Sequence, residues 1–199
     1  MKTSIRFAAL AAAFAVALPL AANAASYETA TFVDESVAAG DYAIDNTRFL
    51  GAAFAVGSGE SLTSVGGNFT LYGDGGSLFA AVLDSKGTVL FETTFVPTGG
   101  DQSVALTGAL SSGHYTVVFG SGLYGADGYS GLVGSQGAVG APSFVQYAGT
   151  LSGASVFTDD ALRVTMETAS ISTVPESGTA LLFASGTALL GFAARRRAR

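Results

Sequence analysis

Short apolar runs separated by turn-forming residues dominate the stretch from residue 25 to residue 173. No window in it keeps helical periodicity for ten residues, whereas several runs alternate apolar and polar side chains as strands do. The runs are, in order, 27–33, 47–56, 62–72, 78–83, 88–95, 103–106, 114–119, 143–147 and 162–167. Their spacing predicts an all-β fold, an antiparallel β-sandwich, with room only for short helical turns near residues 34–40 or 159–161.

The first 24 residues have the three parts of a secretory signal peptide. Lys2 and Arg6 precede an apolar run over 7–20, and small residues, Ala22 and Ala24, follow at the positions that a signal peptidase pocket must accommodate. The alternative is a buried alanine-rich helix at the start of the domain. The pattern favours a signal helix over 1–24 that signal peptidase removes after Ala24, so we expect an exported protein.

The last 26 residues, 174–199, predict a membrane anchor. An uncharged stretch, 178–194, separates a short motif from an arginine cluster: Val174, Pro175, Glu176 and Ser177 before it, then Arg195, Arg196, Arg197 and Arg199 after it. As a helix it would reach about 26 Å, slightly less than the roughly 30 Å of the hydrocarbon core, which snorkelling arginines can make up. The arginines should stay on the cytoplasmic side, which leaves the domain outside.

This order of motif, apolar helix and arginine cluster resembles the PEP-CTERM sorting signal. The tripeptide of that family is Pro-Glu-Pro, and here Ser177 stands in place of the second proline. The resemblance implies export by a Gram-negative bacterium that makes exopolysaccharide, with association with the inner membrane before processing. It also implies cleavage near Pro175 and Glu176 by a membrane-embedded exosortase-type enzyme, which delivers the protein to the cell surface or extracellular matrix.

The middle of the chain carries a second resemblance. Two strand-like runs flank Asp84-Ser85-Lys86-Gly87, which predicts a hairpin. A Leu110-x-x-Gly113-x-Tyr115-x-Val117 sequence follows, in which Gly113 can turn the chain and Tyr115 can bury its ring while its hydroxyl reaches a backbone partner. Over residues 78–122 the pattern resembles jelly-roll domains of the carbohydrate-binding and pre-peptidase C-terminal type. It implies a jelly-roll-like sandwich and gives some support to glycan binding.

Composition excludes several classes of function. Residues 25–174 hold three basic and fourteen acidic residues, a net charge of −11 where the whole chain has −6, which argues against nucleic-acid binding. The absence of cysteine excludes disulfides, thiolate metal sites and cysteine nucleophiles. The presence of only one histidine, His114, excludes multi-histidine metal sites. No serine lies in a G-x-S-x-G motif, so a nucleophile elbow is absent.

Acidic pairs give no stronger sign of catalysis. They are ordinary near turns in an acidic domain, and they are Asp34–Glu35, Asp41–Asp45 and Asp159–Asp160. We therefore expect a non-enzymatic protein with no catalytic residues and no cofactor. A structural Ca²⁺ at a sheet edge stays open as an alternative, with no ligands that the sequence can name.

Glycine recurs at every third position from residue 122 to 140. The G-x-G-x-x-G match at 120–125 lacks the following helix and the downstream acid of a dinucleotide site. The pattern predicts a long loop over 120–141 across one end of the sandwich. One interpretation is that this loop only connects two strands and has no binding role. The other is a binding loop whose Tyr124 and Tyr129 stack on exopolysaccharide sugars, which would make the domain a carbohydrate-binding module rather than an envelope or biofilm-matrix protein alone.

Overall fold

A computed structural model describes residues 24–30, 38–57, 59–73, 75–135, 143–158 and 160–170. The predicted signal peptide up to residue 23 and the whole predicted sorting signal, 174–199, lie outside these ranges. Among the described residues there is no helix with the length and hydropathy needed to cross a membrane.

The described ranges form thirteen strands, and the all-β prediction is confirmed. In chain order the strands are β1 (Ala24–Glu28), β2 (Ala38–Ile44), β3 (Phe49–Val56), β4 (Glu60–Leu71), β5 (Leu78–Asp84), β6 (Val89–Phe95), β7 (Gly100–Leu110), β8 (Gly113–Gly120), β9 (Ser130–Ser135), β10 (Phe144–Tyr147), β11 (Ser155–Phe157), β12 (Ala161–Leu162) and β13 (Val164–Ser170).

The strands pair antiparallel in two sheets. The seven-stranded sheet has the order β1-β13-β4-β9-β12, with β2 also paired to β9 and β7 also paired to β4. The six-stranded sheet has the order β11-β10-β3-β8-β5-β6. The first described strand, β1, therefore pairs with the last, and Ala24 lies opposite Ala169.

The main core lies between the two sheets. Phe69 of the seven-stranded sheet meets Phe119 and Phe95 of the six-stranded sheet edge to face, with ring centroids 5.1 and 5.3 Å apart. Phe69 and Phe119 are buried, and Leu62, Val65, Val117 and Met166 extend the same cluster. Alternation along the strands sends these side chains inward because successive residues point to opposite faces of a sheet.

Both local motifs predicted in the middle of the chain are confirmed. Strands β5 and β6 form the hairpin, in which the Thr88 backbone N–H donates to Asp84 Oδ1 at 2.8 Å and Gly87 has φ of 80°. The Tyr115 ring is buried, and its hydroxyl donates to the Ser111 carbonyl at 2.9 Å. This bond ties the start of β8 to the turn before it.

The prediction of one long loop over 120–141 is wrong. The connection after β8 spans only 121–129, because residues 130–135 form β9, which pairs with β2, β4 and β12. Burial explains why β9 forms. Leu132 is fully buried in the core, and this burial outweighs the low strand propensity of the glycines in β9. At Gly131 a Cβ would lie 2.7 Å from the Tyr72 hydroxyl, so any larger residue there would displace Tyr72.

Other boundaries also differ from the predictions. The possible helical turn predicted near 34–40 is wrong for residues 38–40, because these residues begin β2. The short strand β11 was not predicted. Strand β7 is longer than the predicted 103–106, and β1 ends before the predicted limit at residue 33. The extra residues of β7 come from its pairing along nearly the whole of β4, a partner distant in sequence.

The register of β4 defines two ends of the sandwich. Glu60, its first residue, pairs with Ser170, so the described chain begins and finishes at this end, which we call the terminal end. Leu71, its last residue, pairs with Ser130 at the opposite end, which we call the cleft end. At about 3.3 Å per residue, β4 spans roughly 36 Å between them.

Candidate functional site

A cleft of about 450 Å³ opens at the cleft end. It lies between the connection after β2 and the connection after β8, and its lining residues are Asp45, Asn46, Ser121, Gly122, Ala126, Asp127, Gly128 and Tyr129. Its volume falls within the range of about 300–1,000 Å³ that is usual for small-molecule sites. We call it the Tyr129 cleft.

The connection from 121 to 129 is built by its own backbone hydrogen bonds. The Gly122 N–H donates to the Ala126 carbonyl at 2.8 Å, and the Ala126 N–H donates to the Leu123 carbonyl at 2.9 Å. The Asp127 and Gly128 N–H groups both donate to the Ser77 carbonyl, at 3.1 and 2.7 Å. These bonds fix one wall of the cleft against the start of β5.

Two aspartates line the cleft, and each is held through one oxygen. Asp45 Oδ1 accepts from the backbone N–H and hydroxyl of Thr47, both at 2.7 Å, and from the Arg48 N–H at 2.9 Å. Burial alone would raise the pKa of Asp45, but these bonds outweigh it and lower the pKa. Asp127 Oδ1 accepts from the Ser77 N–H and hydroxyl, which lower its pKa. Both carboxyls are therefore ionised at neutral pH.

Tyr129 supplies an aromatic wall. Its side chain is 45% exposed, and its ring lies 5.0 Å from that of Tyr72 at an interplanar angle of 32°. Burial, with a hydrogen bond to Asp41, raises the pKa of Tyr72 to about 12. Tyr72 is thereby a fixed, neutral support behind the exposed Tyr129 ring.

Ser121 lines the cleft from its buried side. The residue is only 2% exposed, and its hydroxyl makes no hydrogen bond to any described part of the chain. No side-chain N or O atom among the described residues is both fully buried and without a partner, so the Ser121 oxygen is not completely buried. As a lining residue of the cleft, Ser121 can offer this hydroxyl to a bound molecule.

Tyr124 lies elsewhere. Its ring packs edge to face on Phe79 at 5.4 Å, on the outer face of the six-stranded sheet, and it does not line the Tyr129 cleft. Phe79 in turn packs on Phe49 above Gly120, where a side chain would come within 2.4 Å of Phe79. The two tyrosines predicted to act together are about equally exposed but occupy separate surfaces.

Arg163 is one of the residues that line a second, smaller cleft of about 220 Å³. The sequence patterns did not single out this residue. Arg163 lies between β12, which pairs with β9, and β13, which pairs with β4. The Arg163 N–H donates to the Val133 carbonyl of β9, and the Arg163 carbonyl accepts from the Asn68 N–H of β4. The guanidinium binds both Asp101 oxygens at 2.8–3.1 Å, Glu28 at 3.0 Å and the Ala30 carbonyl at 2.6 Å. It thus joins β1 to β7 across two intervening strands.

The remaining candidates for chemistry are dispersed. His114 is exposed on β8. The Asp41–Asp45 pair is divided between different partners, since Asp41 binds Tyr72 and Asp45 caps its own turn. Asp160 accepts a short hydrogen bond from Tyr42, whereas Asp34, Glu35 and Asp159 lie outside the described residues. Within the described ranges, no group of three or more acidic or histidine side chains is arranged to hold a metal ion.

The residues predicted for sorting and cleavage fall almost entirely outside the described ranges. The exception is Ala24, an exposed residue that begins β1. No protein-family model, curated protein or solved structure gives a significant match to the chain.

Proposed function

We propose that the chain is a non-enzymatic exported protein of the cell envelope or biofilm matrix, sorted through its PEP-CTERM-like C-terminal signal. The observation that carries the proposal is the position of the two ends of the domain. Ala24 and Ala169 lie opposite each other on neighbouring strands at the terminal end. A signal peptide ending at Ala24 and a sorting signal over 174–199 would then both be attached at this end of the domain, away from the cleft.

This placement is compatible with both proposed cleavages. Cutting after Ala24 removes a single exposed residue from β1 and leaves Tyr27, whose ring packs on the core, in the mature chain. Cutting near Pro175 and Glu176 falls beyond Ser170, the last residue of β13. Residues 178–194 would hold the site in the membrane, and Arg195–Arg199 would fix its orientation. We also propose a jelly-roll-like arrangement, which the hairpin and the Tyr115 hydrogen bond support.

Deleting residues 175–199 tests the sorting proposal. Full-length protein should fractionate with the envelope, whereas the truncated protein should be released into the medium with the same melting temperature for the β domain. Pro175→Ala with Glu176→Ala is the finer variant, which should retain the membrane helix and block processing. Identical fractionation of the full-length and truncated proteins would refute the proposal.

Carbohydrate binding through the connection after β8 is the second candidate function. The half-exposed Tyr129 ring beside the cleft favours it, because an aromatic face with adjacent polar groups suits a sugar ring. A polysaccharide pull-down with Tyr129→Ala and Tyr124→Ala tested separately measures each tyrosine's part. Retention unaffected by either substitution would remove this candidate.

A further inference from the structure

The charge of the Tyr129 cleft selects among glycans. Among the described residues, its ionised lining side chains are Asp45 and Asp127, and no lysine or arginine lines it. Arg48, the cation whose charge helps to lower the pKa of Asp45, has an exposed side chain outside the lining. The carboxylates of an acidic polysaccharide would therefore meet like charges here, whereas neutral sugars would not and amino sugars would be attracted.

The same side chains offer hydrogen bonds to sugar hydroxyls. Among the described residues, all hydrogen bonds to the Asp45 and Asp127 carboxylates end on Oδ1, which leaves each Oδ2 to accept from a ligand. Ser121 and Asn46 also line the cleft and add a hydroxyl and an amide. Charge-assisted bonds of this kind are stronger than those between neutral groups.

Tyr129 completes the site with an apolar surface. Because Tyr72 supports the ring from behind, Tyr129 loses little freedom when a ligand stacks on its exposed face. The cleft also lies roughly 36 Å from the terminal end, the length of β4. A domain held at the membrane through residue 174 onwards would turn this cleft toward the surrounding matrix.

We propose that the Tyr129 cleft binds non-acidic glycans, either neutral or amino-bearing, with Ser121, Asp45 and Asp127 bonding sugar hydroxyl or amino groups and Tyr129 stacking on a ring. The inference rests on the second proposed function and gives it a site and a ligand class. Tyr124 has no part in it.

Calorimetric titration of the full-length chain in detergent, at about 0.15 M salt, tests the proposal with three probes. A glucosamine hexamer and an N-acetylglucosamine hexamer should bind, and a galacturonate hexamer should not. Ser121→Ala should weaken binding about three- to tenfold, the loss of one hydrogen bond, without lowering the melting temperature. Asp127→Asn keeps an oxygen that accepts from Ser77 but removes the charge. It should weaken binding of the glucosamine hexamer more than binding of the N-acetylglucosamine hexamer.

Tyr124→Ala is the matched control for Tyr129→Ala, since the two side chains are 44% and 45% exposed and each packs on another ring. Tyr129→Ala should abolish binding, and Tyr124→Ala should leave it unchanged. Equal binding of the galacturonate hexamer, no binding of any hexamer, or binding of Ca²⁺ alone would overturn the proposal. Pull-down that is weakened by Tyr124→Ala but not by Ser121→Ala or Tyr129→Ala would overturn this site and leave glycan binding through the connection after β8 standing. Sorting is scored separately by fractionation.

Discussion

Replacing Arg163 with methionine tests whether one side chain holds the edge of the seven-stranded sheet together. The guanidinium is 16% exposed, whereas Asp101 and Glu28 are 54% and 38% exposed. A hydrogen bond to a charged group contributes about 1.5–3 kcal/mol when buried, and an exposed ion pair contributes only about 0–1 kcal/mol. The substitution also takes the guanidinium donor away from the Ala30 carbonyl, at 2.6 Å.

From this geometry we expect Arg163→Met to lower the free energy of unfolding by about 2–3 kcal/mol, the combined loss of the bonds to Asp101, Glu28 and the Ala30 carbonyl. In a domain of this size that corresponds to a fall in melting temperature of about 4–12 °C. Arg163→Lys should recover less than half of the loss, because an ammonium cannot bind Asp101 through two parallel donors. Urea denaturation followed by circular dichroism measures all three proteins.

A double-mutant cycle with Asp101→Asn isolates the pair, and we expect a coupling energy of about 1 kcal/mol. The hydrogen bond from Arg163 lowers the pKa of Asp101. A lowered folded-state pKa means that the stabilisation is present above the unfolded value near 3.8 and is lost as the pH falls through the folded value. A coupling energy near zero at neutral pH, or one that persists at pH values below the folded pKa, would refute the reasoning.

Three further substitutions test the core. Tyr115→Phe should cost about 1 kcal/mol, the hydrogen bond to the Ser111 carbonyl; no change in urea midpoint would show that water replaces that bond. Phe119→Ala should cost about 3–5 kcal/mol by opening a cavity between the sheets, and a smaller loss would mean that the sheets close over it. Gly120→Ala should cost about 1–3 kcal/mol, because its Cβ would lie 2.4 Å from Phe79; an unchanged melting temperature would contradict the crowding there.

Features encoded within a few residues were predictable from the sequence. The turn at Asp84–Gly87 and the Tyr115 corner depend on contacts between neighbours four residues apart or fewer, so their composition sufficed. Strand β9 was not predictable in this way, because its glycines signal a loop while its pairing with β2 and β4 depends on residues far along the chain. Burial of Leu132 decides the outcome, and a local pattern does not reveal burial.

The candidate site shows the same division. Tyr129 was identified from the sequence as an aromatic residue of the glycine-rich stretch over 120–141. Ser121 and Asp45 were not identified as its neighbours, because they approach it only when the connection after β2 meets the connection after β8. Arg163 was recognised only as one of three cations in an acidic domain. Its role depends on the point at which the chain changes neighbouring strands, which has no signature in the sequence.

The pairing of β1 with β13 has a consequence for the order of folding. Because Ala24 pairs with Ala169, a chain synthesised from its N-terminus holds β1 without its partner strand until nearly the whole described domain has been made. Pairings between residues this distant are slow to form, because the closing loop carries an entropic cost before any contact offsets it. The edge pair of β1 and β13 therefore forms only after the last described strand is available, which leaves the backbone groups of β1 without strand partners for most of synthesis.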